Sequence, residues 1–286
     1  METNNYLELS DKDIEKIFVN RIIQSENFNS YSELFIYNNE VYKIYLKNPE
    51  LSKQNIDTII KLFEYKNEVS QIKEIVLPRK LLVYNNQIVG YKMPLIKGTL
   101  LIDVLQYEKL DKTTIKSYFI QLLRIINQTR SFSFQFSFND LHEKNIIIDK
   151  DGNLNIIDSD GFVINNNMYR EQNIIVYGKY LNNSITTKEP NSIDYICLLC
   201  MILNYLLKDV KDYNFNPLSF FESSKIHNIT IKEIFRKVRF KSFILTEQDI
   251  ENLFSLDLNF SKHKVSILAR FKCKNQLKKI ERLHRK

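Results

Sequence analysis

Glycine is scarce in this chain, at 5 of 286 residues, yet Gly152 and Gly161 fall close together beside a run of carboxylates. Cysteine is scarcer still: Cys197, Cys200 and Cys273 are too few to staple a chain of this length with disulfides. Cys197 and Cys200 have the spacing of a redox or metal pair. They sit inside "YICLLCMILNYLL", and no second pair follows, so packing within a buried helix is the expectation. Sparse cysteine of this kind suits a reducing, cytoplasmic setting. Long apolar runs are also missing: Ile193 to Leu207 is too short to span a bilayer and contains Asp194 and Asn204. The opening "METNNYLELSDKD" is polar and acidic, unlike a secretory leader. No internal repeat and no long linker interrupts the chain.

A hydrophobic content of 44% is enough for a sizeable core, and the length suits one large domain or two lobes. The net charge of +7 is unevenly placed: residues 261–286 hold ten Lys/Arg and one Glu, leaving the remainder at −2. A basic tail on a near-neutral body offers contact with nucleic acid or an anionic surface, or simply a solvated helix face.

Local patterns give the elements. Ser10-Asp-Lys-Asp13 has the form of a capping box, predicting a helix to about Ile23 within an N-terminal segment 1–24. "ELFIYNNEVYKIYL" alternates and turns at Asn38-Asn39, a β-hairpin signal. "NIDTIIKLFEYKNEVSQI" has helical spacing, Pro78 ends it, and "KLLVYNN" with "QIVGYKMPLI" predicts a second hairpin. After Gly98 the texture becomes helical, beginning with "TIKSYFIQLLRIINQTR". The expected class is α+β, with a strand-rich part at 25–96, a helix-rich part at 97–260 and the basic tail at 261–286.

Within the helix-rich part lies "SFNDLHEKNIIIDKDGNLNIIDSDGF", residues 137–162. Two Ile-rich strands joined at Asp151-Gly152 make a hairpin. Asn145 stands at its entrance, Asp158 at its exit and Asp140 just before it. Oxygen side chains gathered this way suit Mg²⁺, which takes few protein ligands and shares them with substrate phosphates. Gly161 is expected to free the backbone after the carboxylates.

These residues resemble the protein-kinase superfamily. Phe138-Asn139-Asp140-Leu-His-Glu-Lys-Asn145 stands where the family has His-Arg-Asp-x-x-x-x-Asn, and Asp158-Ser159-Asp160 with Gly161 stands near its Asp-Phe-Gly. The resemblance covers roughly residues 25 to 210. It implies a bilobal kinase-like fold that uses ATP and Mg²⁺, with Asp140 as catalytic base and Asn145 and Asp158 as metal ligands. It further implies that Lys43 contacts the α- and β-phosphates, with a helix glutamate as its anchor, Glu68 in preference to Glu64. Met93 would lie behind the adenine. The Pro94 carbonyl and the Ile96 backbone would contact it, and Ile147 joins the nucleotide-binding set. Asp194 resembles the buried aspartate that braces the catalytic-loop backbone.

The sequence departs from the family in several places. In place of the Gly-rich loop is Asn27-Phe-Asn29-Ser-Tyr-Ser32-Glu-Leu34, with Asn29 and Ser32 in glycine positions facing the phosphates. Asn139 replaces the Arg before the catalytic Asp, and Phe162 to Lys179 contains no Ser or Thr, only Tyr169 and Tyr177. The closing Ala-Pro-Glu is absent. His142 occupies the usual lysine place, and Lys144 is the candidate to supply that charge at the γ-phosphate. "DLHEKN" also resembles the Asp-Leu-His of small-molecule phosphotransferases such as the aminoglycoside and choline kinases. The leading expectation is a phosphotransferase acting on protein Ser/Thr. The alternatives are a small-molecule kinase and a pseudokinase that binds partners through its tail.

Overall fold

The structure, a computed structural model, describes residues 5–19, 32–45, 49–107, 110–165, 189–207, 229–238, 240 and 242–256. Asn29, Tyr169, Tyr177 and the tail 261–286 lie outside the described residues. The class is α+β, and the chain divides into two compact units. The first holds residues 1–103, 128–138 and 143–168, and the second 104–127, 139–142 and 169–286.

The first unit is organised on a five-stranded sheet. Its elements are β1 (Tyr6–Glu8), α1 (Asp11–Val19), β2 (Glu33–Tyr37), β3 (Glu40–Ile44), α2 (Pro49–Glu64), α3 (Lys66–Val69), β4 (Lys80–Tyr84) and β5 (Gln87–Pro94). The spatial order is β1-β4-β5-β3-β2. Both predicted hairpins form, and Asn supplies the left-handed turns that glycine usually provides. Asn38 and Asn39 have φ of 52° and 59°, and Asn85 and Asn86 have 49° and 60°. Ser10 and Asp13 cap α1 reciprocally, the Asp13 amide donating to Ser10 Oγ at 3.3 Å and the Ser10 amide to Asp13 Oδ2 at 3.0 Å.

The N-terminal segment is not a separate helix. β1 pairs in parallel with β4, Tyr6 opposite Leu81, so this segment completes the sheet edge before α1 begins. Side chains alternate across the sheet. One face, with Phe35, Tyr42, Ile44 and Leu82, packs with Leu9 and Ile17 of the α1 region. The other face receives Val41, Lys43, Tyr91 and Met93, which are buried, with Lys43 opposite Tyr91 and Val41 opposite Met93.

This unit also runs past residue 96, the expected boundary. β6 (Gly98–Leu100) pairs with β8 (Ile146–Asp149), which pairs with β9 (Leu154–Ile156). β7 (Phe136–Ser137) pairs with β10 (Val163–Ile164). The β8–β9 hairpin is tied to the segment before β4, because the Ile156 amide donates to Glu74 O at 2.7 Å and the Val76 amide to Ile156 O at 2.9 Å. These bonds place the hairpin in the sheet's unit instead of with the helices that precede and follow it in sequence.

The second unit is helical. Its centre is the helix Pro190–Leu207, whose residues Ile193 and Tyr195 through Leu203 are at most 1% exposed. An all-round apolar helix of this kind belongs inside a core. Cys197 and Cys200 are buried on it as free thiols, as the packing reading expects. Phe119, Tyr205 and Phe254 form a ring cluster at centroid distances of 5.9–6.2 Å. Among the described residues, no helix is long and apolar enough to cross a membrane.

Candidate functional site

Lys43 is where the site begins. It lies in the middle of β3 and only 7% of it is exposed, an expensive place for an ammonium without a partner. Two carboxylates meet it. Lys43 Nζ pairs with Asp158 Oδ1 and, at 2.8 Å, with Asp160 Oδ1. The hairpin explains how residues 115 and 117 positions later arrive there. Ile146 faces Ile156, the Ile157 amide donates to Asn145 O at 2.9 Å, and Asp158 is the next residue. Asn145 and Asp158 thus stand at one end of the ribbon.

Asp158 adopts the left-handed conformation, φ 69° and ψ 50°, immediately before a 3-10 turn over Ser159–Gly161. The backbone freedom expected of Gly161 is therefore taken up by Asp158 itself. For a residue with a β-carbon this costs about 1–2 kcal/mol, held by the surrounding structure.

The two carboxylates differ in surroundings. Asp160 is 5% exposed and accepts from four donors. These are Lys43 at 2.8 Å, Asn55 Nδ2 at 2.9 Å, Tyr91 Oη at 3.1 Å and Tyr45 Oη. The Asp158 side chain keeps 33% exposure. Burial pushes both carboxyls up. For Asp160, the Lys43 charge and the donated hydrogen bonds outweigh burial and hold it below the usual carboxylate range. For Asp158, burial and the adjacent Asp160 charge outweigh Lys43, and its pKa is raised to about 6. Burial alone lowers the Lys43 ammonium, but the Asp158 and Asp160 charges reverse this and hold it well above its ordinary value. Tyr45 and Tyr91 are both raised well above theirs, by burial first and then by Asp160. They stay protonated and donate to Asp160.

No protein-family model and no curated protein matches the chain. What the site can do rests on its own geometry.

Glu68 is not the partner of Lys43. The expectation placed Glu64 and Glu68 on one helix face, but α2 ends at Glu64, and Tyr65 (φ −101°, ψ 14°) separates it from α3. Glu64 is exposed. Glu68 accepts from the Ser133 amide at 2.8 Å and from Ser133 Oγ at 2.6 Å. The break is held by Tyr65, whose ring stacks on Phe134 at 4.0 Å and whose hydroxyl accepts from Asn165 Nδ2 at 2.7 Å. From α2 it is Asn55 that reaches the cluster.

The other expected residues take these places. Met93 is buried on β5 and Pro94 ends that strand, opposite Glu40. Ile96 is half-buried just beyond it. Ile147 lies on β8 between Leu100 and Asn155. Ser32 is half-buried immediately before β2, and Lys144 is exposed. In the second unit, the Asn139 amide donates to Asp194 Oδ1 at 3.1 Å, and Asp194 is fully buried. Asn139 has φ 59°. Asp140 follows it, with its Oδ2 3.5 Å from His142 Nε2.

Sequence reasoning missed Tyr45, Tyr91 and Asn55. Two signals pointed to Tyr45 and Asn55, whereas Tyr91 meets the cluster only through the β3–β5 register. Lys43 and Tyr45 are two apart and so share a sheet face. Asn55, Ile59 and Leu62 have the spacing of one helix face, and Ile59 and Leu62 are 1% exposed.

Among the described residues no group of three or more His, Cys, Asp or Glu is placed to hold a metal alone. One carboxylate and one amide, from Asp158 and Asn145, do not make a closed protein cage. They are a fitting set for Mg²⁺, which keeps waters and shares its coordination with phosphates.

Proposed function

We propose that the chain is a bilobal, protein-kinase-like phosphotransferase that uses ATP and Mg²⁺ and acts on protein Ser/Thr. The observation that carries this reading is the buried lysine of a central strand meeting carboxylates delivered by the exit of the β8–β9 hairpin, with Asn145 at the entrance. Lys43 is the cation for the α- and β-phosphates. Asn145 and Asp158 would hold the metal, which when bound neutralises charge between the phosphates. Asp140 would accept the proton of the substrate hydroxyl at its carboxylate. The bond from Asn139 to Asp194 fixes the backbone from which it projects. Met93, Pro94 and Ile96 would border the adenine, and Lys144 would lie at the transferred group.

Labelled ATP with Mg²⁺, generic protein substrates and the chain itself is the direct assay. Transfer in wild type and its loss in Asp158→Ala is the expected result. Nucleotide binding without transfer would leave a pseudokinase, and no nucleotide affinity would end the reading. The small-molecule-kinase alternative is favoured by one observation, His142 beside Asp140 at 3.5 Å. Transfer to an aminoglycoside or choline, with none to protein, would establish it.

A further inference from the structure

The chemistry above uses Asp158 and leaves Asp160 without a role. Its four donors come from three parts of the fold: Lys43 of β3 with Tyr45 just beyond it, Tyr91 of β5 and Asn55 of α2. An ionised carboxylate offers about four lone-pair sites. Two phenols, an amide and an ammonium bond to it, two donors on each oxygen. Asp158 is the opposite case, with a third of its side chain in solvent. A metal at Asp158 competes with Lys43 for the same carboxylate. If Asp158 were the lysine's sole counter-charge, a metal that took Asp158 before phosphates reached the lysine would leave a buried cation unpaired.

We propose that Asp160 is the standing counter-charge of Lys43, a positioning residue locked by Tyr45, Tyr91 and Asn55, which releases Asp158 to exchange the lysine for a metal-bound nucleotide. The anchoring half stands on the observed contacts alone, and the exchange half rests on the phosphotransferase reading. The anchor then comes from two residues beyond the half-buried Asp158 and not from a helix glutamate. This fits the engagement of Glu68 with Ser133.

The test uses the full chain and the variants Asp160→Asn, Asp158→Asn and Lys43→Met, with the two Lys43→Met doubles. Asp160→Asn keeps the shape of the side chain. It should lower Tm by roughly 6–20 °C in the wild-type background, the size expected for breaking one partner of a buried pair. At least half of that loss should disappear in the Lys43→Met background. Asp158→Asn should cost less than half as much, because Lys43 keeps Asp160. Full additivity of Asp160→Asn with Lys43→Met, or a larger cost for Asp158→Asn, overturns the anchor.

The exchange is read by calorimetry as the ratio of ATP affinity with and without Mg²⁺. That ratio should fall about tenfold in Asp160→Asn, about 1.4 kcal/mol, because Asp158 stays bound to Lys43. In the Lys43→Met background Asp160→Asn should not reduce it further. An unchanged ratio in Asp160→Asn overturns the exchange. A wild type with no ATP affinity overturns the exchange together with the phosphotransferase reading, while the Tm comparison still decides the anchor. Tyr91→Phe, which removes one hydroxyl, should lower both Tm and the ratio by a smaller amount. No change in either quantity overturns the proposal, even where Asp160→Asn fails to fold.

Discussion

Replacing Gly90 with alanine should destabilise the five-stranded sheet, although it adds only one methyl. Gly90 lies on β5 opposite Ile44. A β-carbon there would sit 2.0 Å from the Lys43 carbonyl oxygen and 3.0 Å from Ile44 Cα. Optimal separation of non-bonded heavy atoms is about 3.5 Å, so the strands must part by more than 1 Å. No flexible side chain is in the way to yield, since the obstacles are backbone. Overpacking costs about 1–3 kcal/mol, and weakening two neighbouring ladder hydrogen bonds adds about 1 kcal/mol each. Stiffening of the unfolded chain returns about 0.5–1 kcal/mol. The net loss of about 3 kcal/mol corresponds to a Tm fall of roughly 6–12 °C for a chain of this size. Gly152→Ala is the control: its φ is 81° but nothing lies within 4 Å, so only the left-handed cost of about 1–2 kcal/mol applies. Thermal unfolding by circular dichroism measures both. A Gly90→Ala variant within 2 °C of wild type, or one more stable than Gly152→Ala, would refute the reasoning.

Asp158→Ala should abolish Mg²⁺-dependent ATP affinity in calorimetry. In the wild type that affinity should climb as pH rises through about 6, where Asp158 loses its proton, and level off above it. The same raised pKa has a definite sign for stability: the Asp158 contribution is fully present below the ordinary value of 3.8 and is lost as pH rises through about 6. Asp158→Asn should remove that part of the Tm–pH profile. Asp194→Ala strands the buried Asn139 amide and should cost about 1–3 kcal/mol in urea unfolding, with a fall in kcat as the Asp140 backbone loosens. Lys144→Met should lower kcat about 100-fold, near 3 kcal/mol, with little change in ATP affinity. A mild effect there and a severe one for His142→Ala would move the role to the histidine beside Asp140.

Features written in adjacent residues were legible in the sequence. The two Asn-Asn turns, the Asp151-Gly152 hairpin, the Ser10–Asp13 cap and the buried cysteines each follow from a short pattern with a local physical cause. Features that depend on distant pairing were not. β1 is three residues long, too short for alternation to register, and its partner strand lies about 75 positions away. The end of α2 carries no Gly or Pro. It is made by an aromatic stack on Phe134 and a bond from Asn165, which no local propensity encodes. For the same reason Glu68 could be assigned to Lys43 by spacing yet belong to Ser133. Asp158 was separable from Asp160 only after Tyr45, Tyr91 and Asn55 were seen to enclose the second carboxylate.

The separation within the Lys43 cluster also has a consequence for how the chain is made. Lys43 leaves the ribosome 115 and 117 residues ahead of the two carboxylates that neutralise it. At about 5–20 residues per second, that interval is roughly 6–23 s. During it the strands β1 to β5 can pair, but the sheet face that holds Lys43 cannot close over an unpaired ammonium without the cost of burying it. Arrival of the hairpin supplies the missing charge and the missing cover together. Closing of that face is thereby tied to the arrival of residues 158 and 160.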